Sequence, residues 1–192
     1  MRKGVKMGKL GGLLENANDF LEAARRCGWP HTKEKVTREN EPLFIPEMVN
    51  ISFACELYLK TVAEHKGIKI GRIHELDTIF EKFAKDTQNE IYDIWRTTGN
   101  NDIQNHPYYK QMFLDNIGAA ANIFKRFRYA HDWVGSVISL EHSYTTEQFV
   151  KFSSASGTRP LGSPQVYGGF INQFAECLKI YAERLLGKTY NS

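Results

Sequence analysis

Leu10, Leu13, Leu14, Ala17, Phe20, Leu21 and Ala24 recur at steps of three and four residues. That spacing predicts one apolar face of a helix ending at Gly28, with Pro30 beyond it as a stop. Thr32 to Leu43 is charged and aperiodic, after which Pro46 suits a first helical turn and Glu47 suits its positive end. From Met48 to Val62 two stripes run side by side, Met48, Ile51, Cys55, Tyr58 and Val62 on one and Val49, Phe53 and Leu57 on the other. A helix apolar on two faces is expected to lie at the centre of the core.

Gly67 and Gly71 close that helix, and Ile73, Leu76, Ile79, Phe80 and Phe83 predict a shorter third one. Ile91, Tyr92, Ile94 and Trp95 carry the pattern on to the Gly99-Asn100-Asn101 loop, either as a fourth short helix or as a kinked extension of the third. Pro107 opens the longest periodic segment, through Phe113, Ile117, Ala120, Phe124, Phe127, His131 and Val134, which predicts one long helix. Ser, Thr, Gly and Pro break the pattern from Gly135 to Leu161, and Ser153 to Ser163 reads as a mobile loop. Phe170, Phe174, Cys177, Tyr181 and Leu185 mark a final amphipathic helix.

The best strand signal, Val137-Ile138-Ser139-Leu140, is too short and solitary to begin a sheet. The expected class is therefore all-α, an up-and-down helical bundle with a C-terminal helix after an irregular region. No internal repeat suggests a solenoid.

A length of 192 residues with 42% apolar and 12% aromatic side chains suits a single domain, 1–192, with one core. A formal charge of +3 with 24% charged residues excludes a disordered tail protein and a heavily basic nucleic-acid coat, while leaving room for a local basic face. No stretch approaches the roughly 18 to 20 apolar residues that span a bilayer. Met1-Arg2-Lys3 leads only into a Leu10 to Leu14 patch that Glu15 and Asp19 interrupt, a poor signal peptide, so a cytoplasmic, non-membrane protein is expected. Cys27, Cys55 and Cys177 are odd in number and widely spaced, which supports neither a disulfide framework nor a zinc knuckle.

Several kinds of site lack their motif. No Glu is followed by His at the Glu-x-x-His step that a di-metal carboxylate bundle needs, and no metal or cofactor is expected. Glycine loops that cradle phosphates and the nucleophile elbow are missing too.

Asn50-Ile-Ser-Phe-Ala-Cys-Glu56-Leu-Tyr-Leu-Lys60, followed by Ile73-His74-Glu75-Leu76 and Ile79-Phe80, resembles the middle of a HEPN domain. This helical-bundle family is common in bacterial defence and toxin-antitoxin systems. Phe124-Lys125-Arg126-Phe127-Arg128-Tyr129 resembles the aromatic and Arg-Tyr segment that several HEPN groups carry late in the long helix. The resemblance implies a HEPN-like core over about 8–135, with a C-terminal extension over about 136–192 that has no counterpart in the family. It also implies a homodimer, with an antitoxin as a possible protein partner and RNA or a nucleotide as a possible ligand.

Active members of the family cut RNA without a metal through an Arg-x(4-6)-His motif, and Arg126 and His131 match that spacing. The implied roles are general acid or base for His131 and phosphate stabiliser for Arg126. Five residues along one helix set the two side chains about 140° apart, a geometry that a site shared by two subunits would relieve. Phe127 stands where active members often carry a polar residue, and His131 equally fits a packed position beside Phe127 and Val134. Two functions follow: a non-catalytic module binding RNA, a nucleotide or a protein, or a metal-independent endoribonuclease acting as a homodimer.

Lys125, Arg128 and Tyr129, with Tyr108, Tyr109 and Lys110 nearby, offer charge and stacking for single-stranded RNA. Arg128 stands four residues before Asp132 and equally suits a surface pair. Glu56 and Lys60, in the order that favours a helix, are expected to form a structural pair, and His74 to cap or orient the turn before the third helix.

Overall fold

A computed structural model describes residues 3–28, 43–98, 107–121 and 165–187. Six helices and no strand are found among the described residues, so the protein is all-α. We number them α1 (Lys3–Cys27), α2 (Phe44–His65), α3 (Leu76–Glu81), α4 (Lys85–Thr98), α5 (Pro107–Ala120) and α6 (Gln165–Leu185). The thin strand signal at 137–140 and the expected loop at 153–163 lie outside the described residues.

α1 and α2 form an antiparallel hairpin. The Leu43 amide donates to the Cys27 carbonyl at its base (2.7 Å), Phe20 stacks on Phe53 at 5.0 Å, and the Tyr58 hydroxyl donates to Asn18 Oδ1 further along (2.6 Å). Leu10, Leu14, Ala17, Leu21 and Ala24 are the buried stripe of α1. The helix begins at Lys3, a full turn and more before the apolar period that marks it in the sequence.

In α2 the stripe of Met48, Ile51, Cys55, Tyr58 and Val62 is fully enclosed. Val49, Phe53 and Leu57 are only half-buried, so this second stripe is a margin of the core, contrary to the expectation of burial on two sides. The reason lies in the neighbours: Phe53 faces Phe20 on the outside of the hairpin. The first stripe faces α6, where the Cys55 thiol points at the Ile171 carbonyl.

α3 and α4 are separate helices, which decides between the two alternatives read from the sequence. Gln88 supplies the reason, because its buried Nε2 donates to the carbonyls of Phe80 (3.2 Å) and Phe83 (3.0 Å). Carbonyls at a helix end need such partners when they leave water, so Gln88 fixes the end of α3 and the break after it.

α4 and α6 pack antiparallel. The Tyr181 hydroxyl donates to Glu90 Oε2 (2.6 Å), the Cys177 thiol meets the Ile91 carbonyl (3.0 Å), and Trp95 lies against Phe170. Around the wholly buried Phe113 of α5 stand Phe80, Tyr92, Trp95, Phe170 and Phe174, with ring centroids 5.0 to 5.9 Å away and mostly edge to face. Each such ring stabilises the fold by about 1.5–3 kcal/mol relative to exposure. This aromatic knot joins α3, α4, α5 and α6 into one core with the hairpin. α5 ends at Ala120, with Ala121 in a turn; the expected continuation to Val134 lies outside the described residues.

Candidate functional site

Glu56 sits in the middle of α2, only 5% exposed. Its Oε1 accepts from Lys60 Nζ at 2.7 Å and stands 3.0 Å from Nδ1 of His74. Helical pitch brings Lys60 there, since residues four apart share a face and Glu before Lys is the favourable order. His74 arrives differently, across the turn between α2 and α3. One carboxylate oxygen thus holds two basic side chains from two places in the chain, one mostly buried (Lys60, 20% exposed) and one at the surface (His74, 54%).

A buried carboxylate is costly unless it is paired and hydrogen-bonded, and here both conditions hold. His74 does not cap α3: the cap position is Glu75, with no side-chain cap bond, and its Oε2 takes the His74 amide at 3.3 Å. The imidazole instead ties the turn back to α2.

The turn so held runs His65-Lys66-Gly67-Ile68-Lys69-Ile70-Gly71-Arg72-Ile73-His74. Gly67 ends α2 with φ +74, its amide bonded to the Glu64 carbonyl and that of Ile68 to the Ala63 carbonyl, the pairing that closes a helix on a left-handed residue. Gly71 is also left-handed, φ +66. Ile70 is buried and Ile68 and Ile73 are half-buried, so the three isoleucines anchor the turn to the core.

A second polar group, not foreseen from the sequence, lies where α1, α2 and α6 meet. Arg25 pairs with Glu176 across the helices, and Tyr58, whose ring is wholly enclosed, bonds Asn18. Burial, with the nearby Glu183 and Glu176 carboxylates, pushes the Tyr58 phenol well up. Glu183 is itself buried, and its Oε2 has no hydrogen-bond partner among the described residues. Arg25 and Glu176 fall on different helices far apart in sequence, and no spacing rule reaches across such a gap.

Burial pushes the Cys55 and Cys177 thiols up, Cys177 to about 12, so neither supplies a thiolate near neutral pH. Among the described residues no group of three or more His, Cys, Asp or Glu side chains could hold a metal ion, and no helix is long and apolar enough to cross a membrane.

Of the sequence-predicted site residues, Glu56, Lys60 and His74 come together. Arg126 and His131, with Lys125, Arg128 and Tyr129, lie outside the described residues. Lys110, read beside them as an RNA contact, bonds Asn89 Oδ1 at 2.6 Å and lies 6.0 Å from the centre of the Tyr92 ring, engaged with α4. Comparison of the chain with protein-family models, with curated proteins and with solved structures finds no match.

Proposed function

We propose that this chain is a HEPN-like helical module of a bacterial defence or toxin-antitoxin system, cytoplasmic and homodimeric, which binds single-stranded RNA without cutting it. The observation that carries this reading is a basic run beside an aromatic ring: Lys125, Arg126 and Arg128 fall inside four residues, next to Tyr129. Such a segment attracts phosphates by charge and offers a ring for a base to stack on. The acidic and imidazole groups that carry the family resemblance in α2 and the following turn, Glu56 and His74, are engaged with each other and with Lys60.

The second reading, a metal-independent endoribonuclease, rests on the spacing of Arg126 and His131. In that case His131 moves a proton to or from the 2′-hydroxyl and the leaving oxygen, and Arg126 neutralises the phosphorane charge.

Fluorescence anisotropy of a labelled single-stranded oligoribonucleotide, in the presence of chelator, separates the two. The binding module gives saturable anisotropy that Lys125→Ala with Arg128→Ala weakens, and RNA that stays full length. RNA shortened by the wild type but not by His131→Ala decides for the nuclease, and absence of any binding overturns both.

A further inference from the structure

From His65 to His74 every exposed side chain is basic: His65, Lys66, Lys69, Arg72 and His74, the only other exposed positions being the two glycines. No acidic residue occurs in this stretch. The apolar residues between them, Ile68, Ile70 and Ile73, turn inward, and the left-handed Gly67 and Gly71 set the path that makes this alternation possible. Beyond the chain neighbours, no atom of the described residues approaches within 4 Å of where a Cβ would stand on either glycine, so they are required by backbone conformation and not by crowding. Glu56 holds the far end of the turn through His74.

Two of the cations on this turn are not consumed by the fold: among the described residues, Lys69 and Arg72 take part in no ion pair, while Lys66 lies 6.0 Å from the centre of the Tyr181 ring and His74 is held by Glu56. A surface helix ordinarily interleaves its charges, as α1 does with Glu22, Arg25 and Arg26. Here a turn anchored by three isoleucines and the His74 to Glu56 hydrogen bond displays no acidic side chain, at low entropic cost to whatever it meets.

We infer that the α2–α3 turn is a binding surface for the sugar-phosphate backbone of RNA, with Lys69 and Arg72 as its phosphate contacts. The inference rests on the RNA-binding reading above and adds to it a contact surface far along the chain from Lys125 to Tyr129. Two features favour a nucleic-acid backbone over an anionic bilayer. No apolar side chain of the turn is exposed for insertion among lipids, and the turn is held against the core by Ile68, Ile70 and Ile73 instead of hanging free as a basic tail. Such contacts are indifferent to base sequence.

The test is anisotropy of a labelled single-stranded oligoribonucleotide against full-length wild type, Lys69→Ala/Arg72→Ala and Lys125→Ala/Arg128→Ala, repeated over a series of salt concentrations. Both residues of the first variant are exposed, and a thermal melt matching wild type shows that it folds. Loss of two phosphate contacts should weaken binding severalfold and lower the slope of log affinity against log salt by about 1.4, about 0.7 for each contact to a single strand. Lys69→Arg/Arg72→Lys should keep the slope of the wild type. RNA binding that Lys125→Ala/Arg128→Ala weakens but Lys69→Ala/Arg72→Ala leaves unchanged overturns this surface alone and leaves the RNA-binding reading intact. No RNA binding by the wild type overturns both. Binding to phosphatidylserine vesicles that Lys69→Ala/Arg72→Ala abolishes, with RNA affinity unchanged, assigns the turn to a membrane and likewise overturns the inference.

Discussion

Nδ1 of His74 stands 3.0 Å from Oε1 of Glu56, 18 residues earlier in the chain, on the same oxygen that Lys60 Nζ reaches at 2.7 Å. With an ammonium already donating to it, that oxygen acts as acceptor, and the imidazole proton belongs on Nδ1. Through this one atom the middle of α2 fixes the end of the basic turn.

Removing the carboxylate should therefore cost more than removing either base. Glu56→Ala leaves Lys60 in a largely buried place without its partner and is expected to cost about 1.5–3 kcal/mol, the range for hydrogen bonds to charged groups. His74→Ala, at the surface and screened by water, should cost about 0.5–1 kcal/mol. Urea unfolding midpoints of the single and double variants check this. In the Glu56→Ala background His74→Ala should cost nothing further, and simple addition of the two losses would show that the contact does not couple them.

Gly11 and Gly12 lie inside α1, and apart from the helix's own backbone no atom of the described residues stands within 4 Å of where a Cβ would be on either. Glycine in a helix interior costs about 0.8–1 kcal/mol relative to alanine, through the freedom it loses on folding. Gly12→Ala should thus raise stability by up to about 1 kcal/mol, seen as a higher midpoint in urea. A lower midpoint would mean that α1 does not extend through this segment.

How much was legible in the sequence follows the reach of each rule. Helical period disclosed α1, α2 and α6, and the four-residue step disclosed Glu56 with Lys60, because these relations are local. The start of α1 at Lys3 was hidden by glycines that interrupt any apolar period. The break between α3 and α4 has neither Pro nor Gly to announce it, since it is made by the Gln88 amide folding back on two carbonyls. The half-buried state of Phe53 and Leu57 depends on which helix faces them, which α2 alone does not encode. The His74 to Glu56 contact crosses a turn whose path two left-handed glycines determine.

Glu47 is wedged at the base of the hairpin. Asn172 Nδ2 reaches its Oε1 at 3.4 Å, and a Cβ on Gly28 would stand 3.1 Å from the same oxygen. Burial raises its carboxyl above the ordinary value, against the opposing pull of the Asn172 bond. A carboxyl raised on folding contributes stability that is complete below its unfolded pKa and is lost as pH rises through the folded one. Glu47→Gln should therefore melt close to wild type near pH 4 and above it near pH 7. A variant melting below wild type at pH 7, with no such loss at pH 4, would show that the charged form is the one the fold prefers.

Binding and cutting of RNA by this bundle are separated in a single experiment. The most direct measurement is a denaturing gel of labelled single-stranded RNA after hours at saturating protein in excess chelator, run beside the anisotropy that proves saturation. For a binding module, full occupancy and RNA of unchanged length are expected, for the wild type and for His131→Ala alike. Fragments that appear with the wild type and vanish with His131→Ala, or RNA that never binds at all, contradict the binding reading.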